Sequence, residues 1–153
     1  MASKIGKKTV VLASGVFDLL HLGHVKFLEE AKKAGGENAE LVVIIARDRT
    51  VEKTKEGKPI MSEDQRCALV ESLRVVDKTV LGYEKLDIGE AIENIRPDII
   101  ALGYDQEDME KQVRSYLDTH KANVKMVRIG KFGENTLDSS SKIKQKIIDK
   151  SAS

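Results

Sequence analysis

The 153-residue chain has no tryptophan, three phenylalanines, three tyrosines and a single cysteine. So few aromatics leave little surface on which the bases of a single strand could stack. One cysteine, Cys67, excludes a disulfide within the chain and fits a reducing compartment. An excess of one charge is missing too: 26 Lys and Arg oppose 25 Asp and Glu, a formal net of +1. No overall field draws such a chain to nucleic acid or to an acidic membrane. Long apolar runs are also absent, and the basic stretch Lys4-Ile5-Gly6-Lys7-Lys8 precedes only a short strand-like run. The expectation is a soluble, cytoplasmic protein with no nucleic-acid or membrane partner.

At 41% hydrophobic residues, a chain of this length can bury one good core. A single domain over 1–153 is expected, with its core at about 8–148. Short apolar, β-branched runs at 8–13, 41–46, 77–82, 98–103 and 124–129 read as strands. Helical spacing fills 25–34, 63–73, 87–95, 107–120 and 139–149, with Pro97 stopping the third of these. Ser62 and Gln65 form a helix-start signature, and the helix at 63–73 is expected to bury Cys67, Leu69, Val70 and Leu73. Residues 47–59 and 131–138 read as loops, and 150–153 as a fraying end. Strands too apolar for one exposed face, alternating with helices, predict an α/β fold. Its form is a Rossmann-like, doubly wound, five-stranded parallel sheet with right-handed crossovers.

The polar clusters all fall beyond the carboxyl ends of these strands, where open parallel sheets bind ligands. The first is Ser14-Gly15-Val16-Phe17-Asp18-Leu19-Leu20-His21-Leu22-Gly23-His24, a glycine-containing turn leading into a helix. A helix start offers unpaired N–H groups and partial positive charge, which suit phosphate, and two imidazoles three residues apart face one anion there. Others are Lys53, Lys55 and Lys58 in the loop after the second strand, Asp105 after the fourth, and Ser139-Ser140-Ser141-Lys142 opening the last helix. Their convergence points to a nucleotide-phosphate site.

Each cluster has a plainer reading. His21 and His24 also fit a helix cap and a surface residue, or a metal pair lacking its third ligand, since His120 lies far along a polar helix. Loop lysines are commonly a solvated face, three serines an N-cap, and Asp105 a turn residue. Cys67 on an apolar face suits packing. Arg66 and Arg74, on a helix, are expected to be solvated.

The residues from Gly15 to His24 resemble the H-x-G-H signature of cytidylyltransferase-like nucleotidyltransferases, and Ser139-Ser140-Ser141-Lys142-Ile143 resembles the second signature of that superfamily. Three further stretches are similar to archaeal FAD synthases: Ala46-Arg47-Asp48-Arg49-Thr50-Val51, the segment from Lys58-Pro59-Ile60 to Glu63-Asp64-Gln65-Arg66, and Ile99-Ile100-Ala101-Leu102-Gly103-Tyr104-Asp105-Gln106. Val16 stands where Thr is usual and Asp138 where Ile is usual. No Arg occurs in Lys131-Phe132-Gly133-Glu134-Asn135, where glycerol-phosphate enzymes carry one.

The resemblance implies transfer of AMP from ATP to FMN, giving FAD and pyrophosphate, with a divalent metal, Mg²⁺, carried by phosphate oxygens rather than by a protein metal site. It implies catalytic roles for His21, His24, Lys55 and Lys58. It also implies nucleotide contacts by Gly15, Val16, Phe17, Asp18, Leu22, Gly23, Asp105, Ser139, Ser140 and Ser141, and a homodimer. The same chemistry on glycerol 3-phosphate with CTP, on phosphopantetheine or on a sugar phosphate is the rival, distinguished by which pair releases pyrophosphate. A binding module without turnover is the rival from another class.

Overall fold

The computed structural model describes residues 7–54, 57–82, 88–131 and 140–152, the side chains of Ser140 and Ser141 excepted. Among the described residues there are five strands: β1 (Thr9–Gly15), β2 (Ala39–Ile45), β3 (Lys78–Leu81), β4 (Ile99–Gly103) and β5 (Lys125–Ile129). They form one sheet in the order β3-β2-β1-β4-β5, with every neighbouring pair parallel. Among the described residues the helices are α1 (Leu22–Ala34), α2 (Asp48–Glu52), α3 (Glu63–Glu71), α4 (Ile88–Ile95), α5 (Glu107–His120) and α6 (Ser140–Ala152).

The two-residue period of the strands sorts their apolar side chains into two cores. Val11, Ala13, Leu41, Val43, Ile45 and Ala101 face one side, against Leu28 and Ala31 of α1 and Val70 of α3. Leu12, Val42, Ile100 and Leu102 face the other, against Ile92 of α4 and Val113 and Leu117 of α5. A sheet covered on both faces is why these strands read as unbroken apolar runs.

Several expectations are corrected. Residues 47–59 are not loop throughout, because α2 forms within them. Its Val51 is buried, and the Asp48 N–H donates to the Glu63 carboxylate at 3.0 Å. The end at 150–153 does not fray from residue 150, since α6 continues to Ala152. On α3, Val70 is buried as expected, but Leu69 is 38% exposed, and the helix's other buried residue is Arg66. Ser62 caps that helix, its hydroxyl accepting from the Gln65 N–H.

Arg66 is fully buried rather than solvated. Its Nε donates to the Met61 carbonyl at 3.0 Å, and Nη1 to the carbonyls of Val16 (2.7 Å) and Ala46 (2.8 Å). Nη2 pairs with Asp48 Oδ1 at 2.6 Å. Its planar fork thus meets three backbone acceptors and a carboxylate from four different segments, which an ammonium cannot do. Truncation would strand those acceptors in the interior. Arg66→Ala should lower unfolding free energy by about 3–5 kcal/mol, and Arg66→Lys should recover less than half of that loss. Urea denaturation measures both, and a cost for Arg66→Ala below about 1 kcal/mol, as for an exposed pair, would refute this account.

Candidate active site

β1 and β4 are hydrogen-bonded neighbours, yet their pairing is limited to Val11↔Ile99 and Leu12↔Ile100. Beyond that point the two strands part. The chain runs from β1 to β2 on one side and from β4 to β5 on the other, so the parting is the topological switch point of the sheet. A cavity of about 720 Å³ opens there, at the carboxyl ends of the strands.

Its floor is the turn between β1 and α1. A Cβ on Gly15 would lie 2.8 Å from the Phe17 ring, so only glycine fits. Phe17 (φ 55°) and Leu19 (φ 52°) hold left-handed backbone, a strain of about 1–2 kcal/mol per non-glycine residue. Burial holds the turn in that shape. The Phe17 ring is buried and tilted against His24, with centroids 5.1 Å apart. The Asp18 carboxylate, also buried, accepts the N–H groups of Ile60 (2.8 Å) and Met61 (2.9 Å). One side chain thereby fastens the loop that carries Lys58 to the turn that carries the histidines.

His21 is the N-cap residue of α1, and its ring stacks on that of His24 with centroids 3.7 Å apart. The His21 backbone N–H donates to His24 Nδ1 at 3.2 Å. An Nδ1 that accepts leaves Nε2 to carry the proton of a neutral ring. The electrostatics agree. Burial first, and then the neighbouring His21, lower the His24 pKa from 6.5 to about 3, against an opposing pull from Asp18. His24 is therefore a neutral donor at physiological pH. Among the described residues, the cations lining the cavity are Lys58, Lys131 and Lys144.

Of the expected site residues, Gly15, Val16, Phe17, Asp18, His21, Gly23, His24, Lys58 and Asp105 line this one cavity. Leu22 does not; its side chain is half exposed. Lys55 and Ser139 lie outside the described residues, while Ser140 and Ser141 form the first turn of α6. Sequence reasoning missed Tyr104, Gln106, Lys131 and Lys144 as lining residues. Tyr104 and Gln106 stand beside Asp105 in a stretch already singled out, so adjacency was the available signal. Lys144, well inside a polar helix, had none.

A pH dependence follows from His24. Because its folded pKa lies below 6.5, its contribution to stability is full above about pH 6.5 and is lost as pH falls from there towards 3. ¹⁵N NMR of the free protein at pH 6 should show a neutral His24 ring protonated at Nε2. A His24 resonance titrating near 6.5 would contradict the geometry.

The chain matches the family described as cytidylyltransferase-like over residues 12–146. It is 51% identical over 140 residues to an FAD synthase of Aciduliprofundum boonei, covering 92% of this chain and 91% of that protein. An FAD synthase of Methanopyrus kandleri is 43% identical over 145 residues, covering 95% and 94% of the two chains. Among solved structures, a lipopolysaccharide core biosynthesis protein of Thermoplasma volcanium superposes with a TM-score of 0.74 at 43% identity. It covers 83% of this chain and all of that one. By sequence and by fold, the chain belongs to the cytidylyltransferase-like family of nucleotidyltransferases.

Proposed function

We propose that this protein is an FAD synthase, transferring AMP from ATP to the phosphate of FMN with release of pyrophosphate. The observation that carries the reading is likeness to relatives named FAD synthase over more than nine-tenths of the chain. The cavity supplies the chemistry. The FMN phosphate is already an anionic nucleophile, so the reaction needs no general base. It needs the two phosphates aligned for direct in-line attack, without a covalent intermediate, and stabilisation of charge at the α-phosphorus.

His24, neutral and protonated at Nε2, donates to the transferring phosphate, and His21 donates to its neighbours. Donation from the neutral His24 ring gives direction without charge. The charge comes from Lys58, and from Lys55 on the same loop, closing over the triphosphate. Gly15 and Gly23 let backbone approach the nucleotide, which Val16, Phe17 and Leu22 contact through the main chain. Asp18 serves the nucleotide by holding the lysine loop in place. Asp105 lies towards adenine or ribose, and Ser139, Ser140 and Ser141 hold the β- and γ-phosphates at the start of α6. The described residues contain no group of three or more His, Cys, Asp or Glu suited to a metal ion. Mg²⁺ enters as part of the nucleotide substrate, held by phosphate oxygens and water, as its hydration preference favours. The enzyme works as a cytoplasmic homodimer, an assembly that sedimentation would test. No helix among the described residues is long and apolar enough to cross a membrane.

A second reading, a sugar phosphate as acceptor, draws on the solved relative named for lipopolysaccharide core biosynthesis. Pyrophosphate release separates the two when ATP and CTP are crossed against FMN, glycerol 3-phosphate, phosphopantetheine and a sugar phosphate. The expected result is release with ATP and FMN alone, matched by FAD. Release with another pair would keep the chemistry and replace the acceptor. Tight ATP binding without any turnover would mark a binding module. In the active pair, His24→Ala should lower kcat by about 10²-fold or more and Tm by no more than about 5 °C. Undiminished turnover in that variant would remove His24 from the reaction.

A further inference from the structure

At the parting of β1 and β4, one side chain replaces the missing ladder. β4 continues to Gly103 and β1 to Gly15, but no pairing joins them after Leu12↔Ile100. The gap leaves backbone groups in a half-buried place without their sheet partners, a cost the fold must meet. Gln106 meets it. Its Oε1 accepts the Gly103 N–H at 2.8 Å, and its Nε2 donates to the Ser14 carbonyl at 3.1 Å. A donor on one side and an acceptor on the other fix which end of the amide is which.

The residue forgoes a local role to do this. Gln106 is the N-cap of α5, yet its side chain makes no capping bond to that helix. Instead it turns back across the sheet to a residue 92 positions away. Departure from local preference, with gain elsewhere, is what functional positions show. The place is also the right one. Ser14, Gly15, Gly103, Asp105 and Gln106 all line the cavity.

We infer that Gln106 is a positioning residue: its amide spans the β1–β4 crevice and sets the width of the floor on which the nucleotide lies. The inference rests on the FAD synthase reading, with Asp105 on the nucleotide side. The effect of losing the amide should therefore fall on ATP and not on FMN. Global loosening would not discriminate between the two substrates.

Gln106→Met keeps the length and removes both hydrogen bonds. It should raise KM for ATP about tenfold, leave KM for FMN within about threefold, and weaken Mg·ATP binding in parallel by calorimetry. Gln106→Glu gives a second, independent readout. A protonated carboxyl can accept from Gly103 and donate to Ser14 as the amide does, whereas a carboxylate can only repel the Ser14 carbonyl. Relative to wild type at the same pH, its Mg·ATP affinity should recover several-fold between pH 8 and about pH 4.5, where an ordinary glutamate carboxyl is substantially protonated. Wild-type Mg·ATP affinity in Gln106→Met would overturn the inference, as would an equal rise in both KM values. If Gln106→Met does not fold, Gln106→Glu decides, and a pH-independent deficit overturns it. Wild-type protein that binds Mg·ATP but forms no FAD would fail the FAD synthase reading alone, because calorimetry still tests the crevice.

Discussion

A guanidinium buried beneath the site ties together the segments from which the site is made. Arg66 reaches from α3 to the carbonyls of Val16 after β1, Ala46 after β2 and Met61 at the end of the lysine loop, and pairs with Asp48 on α2. Each of those carbonyls belongs to chain outside regular structure, where partners are scarce and burial is costly. A buried ion pair adds little stability over an apolar replacement, but it fixes geometry strongly once it is present. Here the geometry fixed is the relative placement of the histidine turn and the lysine loop.

Asp18 completes the arrangement from the other side. Met61 is gripped twice, its N–H by Asp18 and its carbonyl by Arg66. The lysine loop is thus anchored at Met61, three residues beyond Lys58. The strained backbone of Phe17 and Leu19 is sustained by the same contacts, since their turn is packed between the Phe17–His24 rings and the Asp18 bonds.

The alternation of apolar strands and periodic helices was legible because it reflects burial on both faces of a sheet, which local pattern encodes directly. So was the gathering of Gly15, His21, His24, Lys58 and Asp105, because parallel topology sends every strand's carboxyl end to one edge. What escaped was set by tertiary partners. Nothing local distinguishes Arg66 from a solvated helix arginine; its burial depends on the distant carbonyls of Val16 and Ala46 and the carboxylate of Asp48. Helix α2 is too short to announce itself by periodicity and depends on Glu63 for its first-turn N–H. Leu69 was assigned to the core face because the arginine's claim on that face was invisible. Lys144 lines the cavity from inside a polar helix, where nothing in the local pattern sets it apart from a solvated lysine.

His24 shows why a site that moves phosphate should avoid putting charge where it needs direction. A charged imidazole at the helix start would attract any anion from any angle, and would have to shed solvent to do so. His24 is instead neutral by burial and by the proximity of His21, and its tautomer is set by one backbone N–H. What it offers is a single oriented donor in a drier environment, where a hydrogen bond to developing charge is strongest. In the proposed reaction, positive charge is left to lysines, whose flexible stems tolerate the changing positions of a departing pyrophosphate. Orientation then sits on the turn that carries the histidines and neutralisation on the loop that carries Lys58.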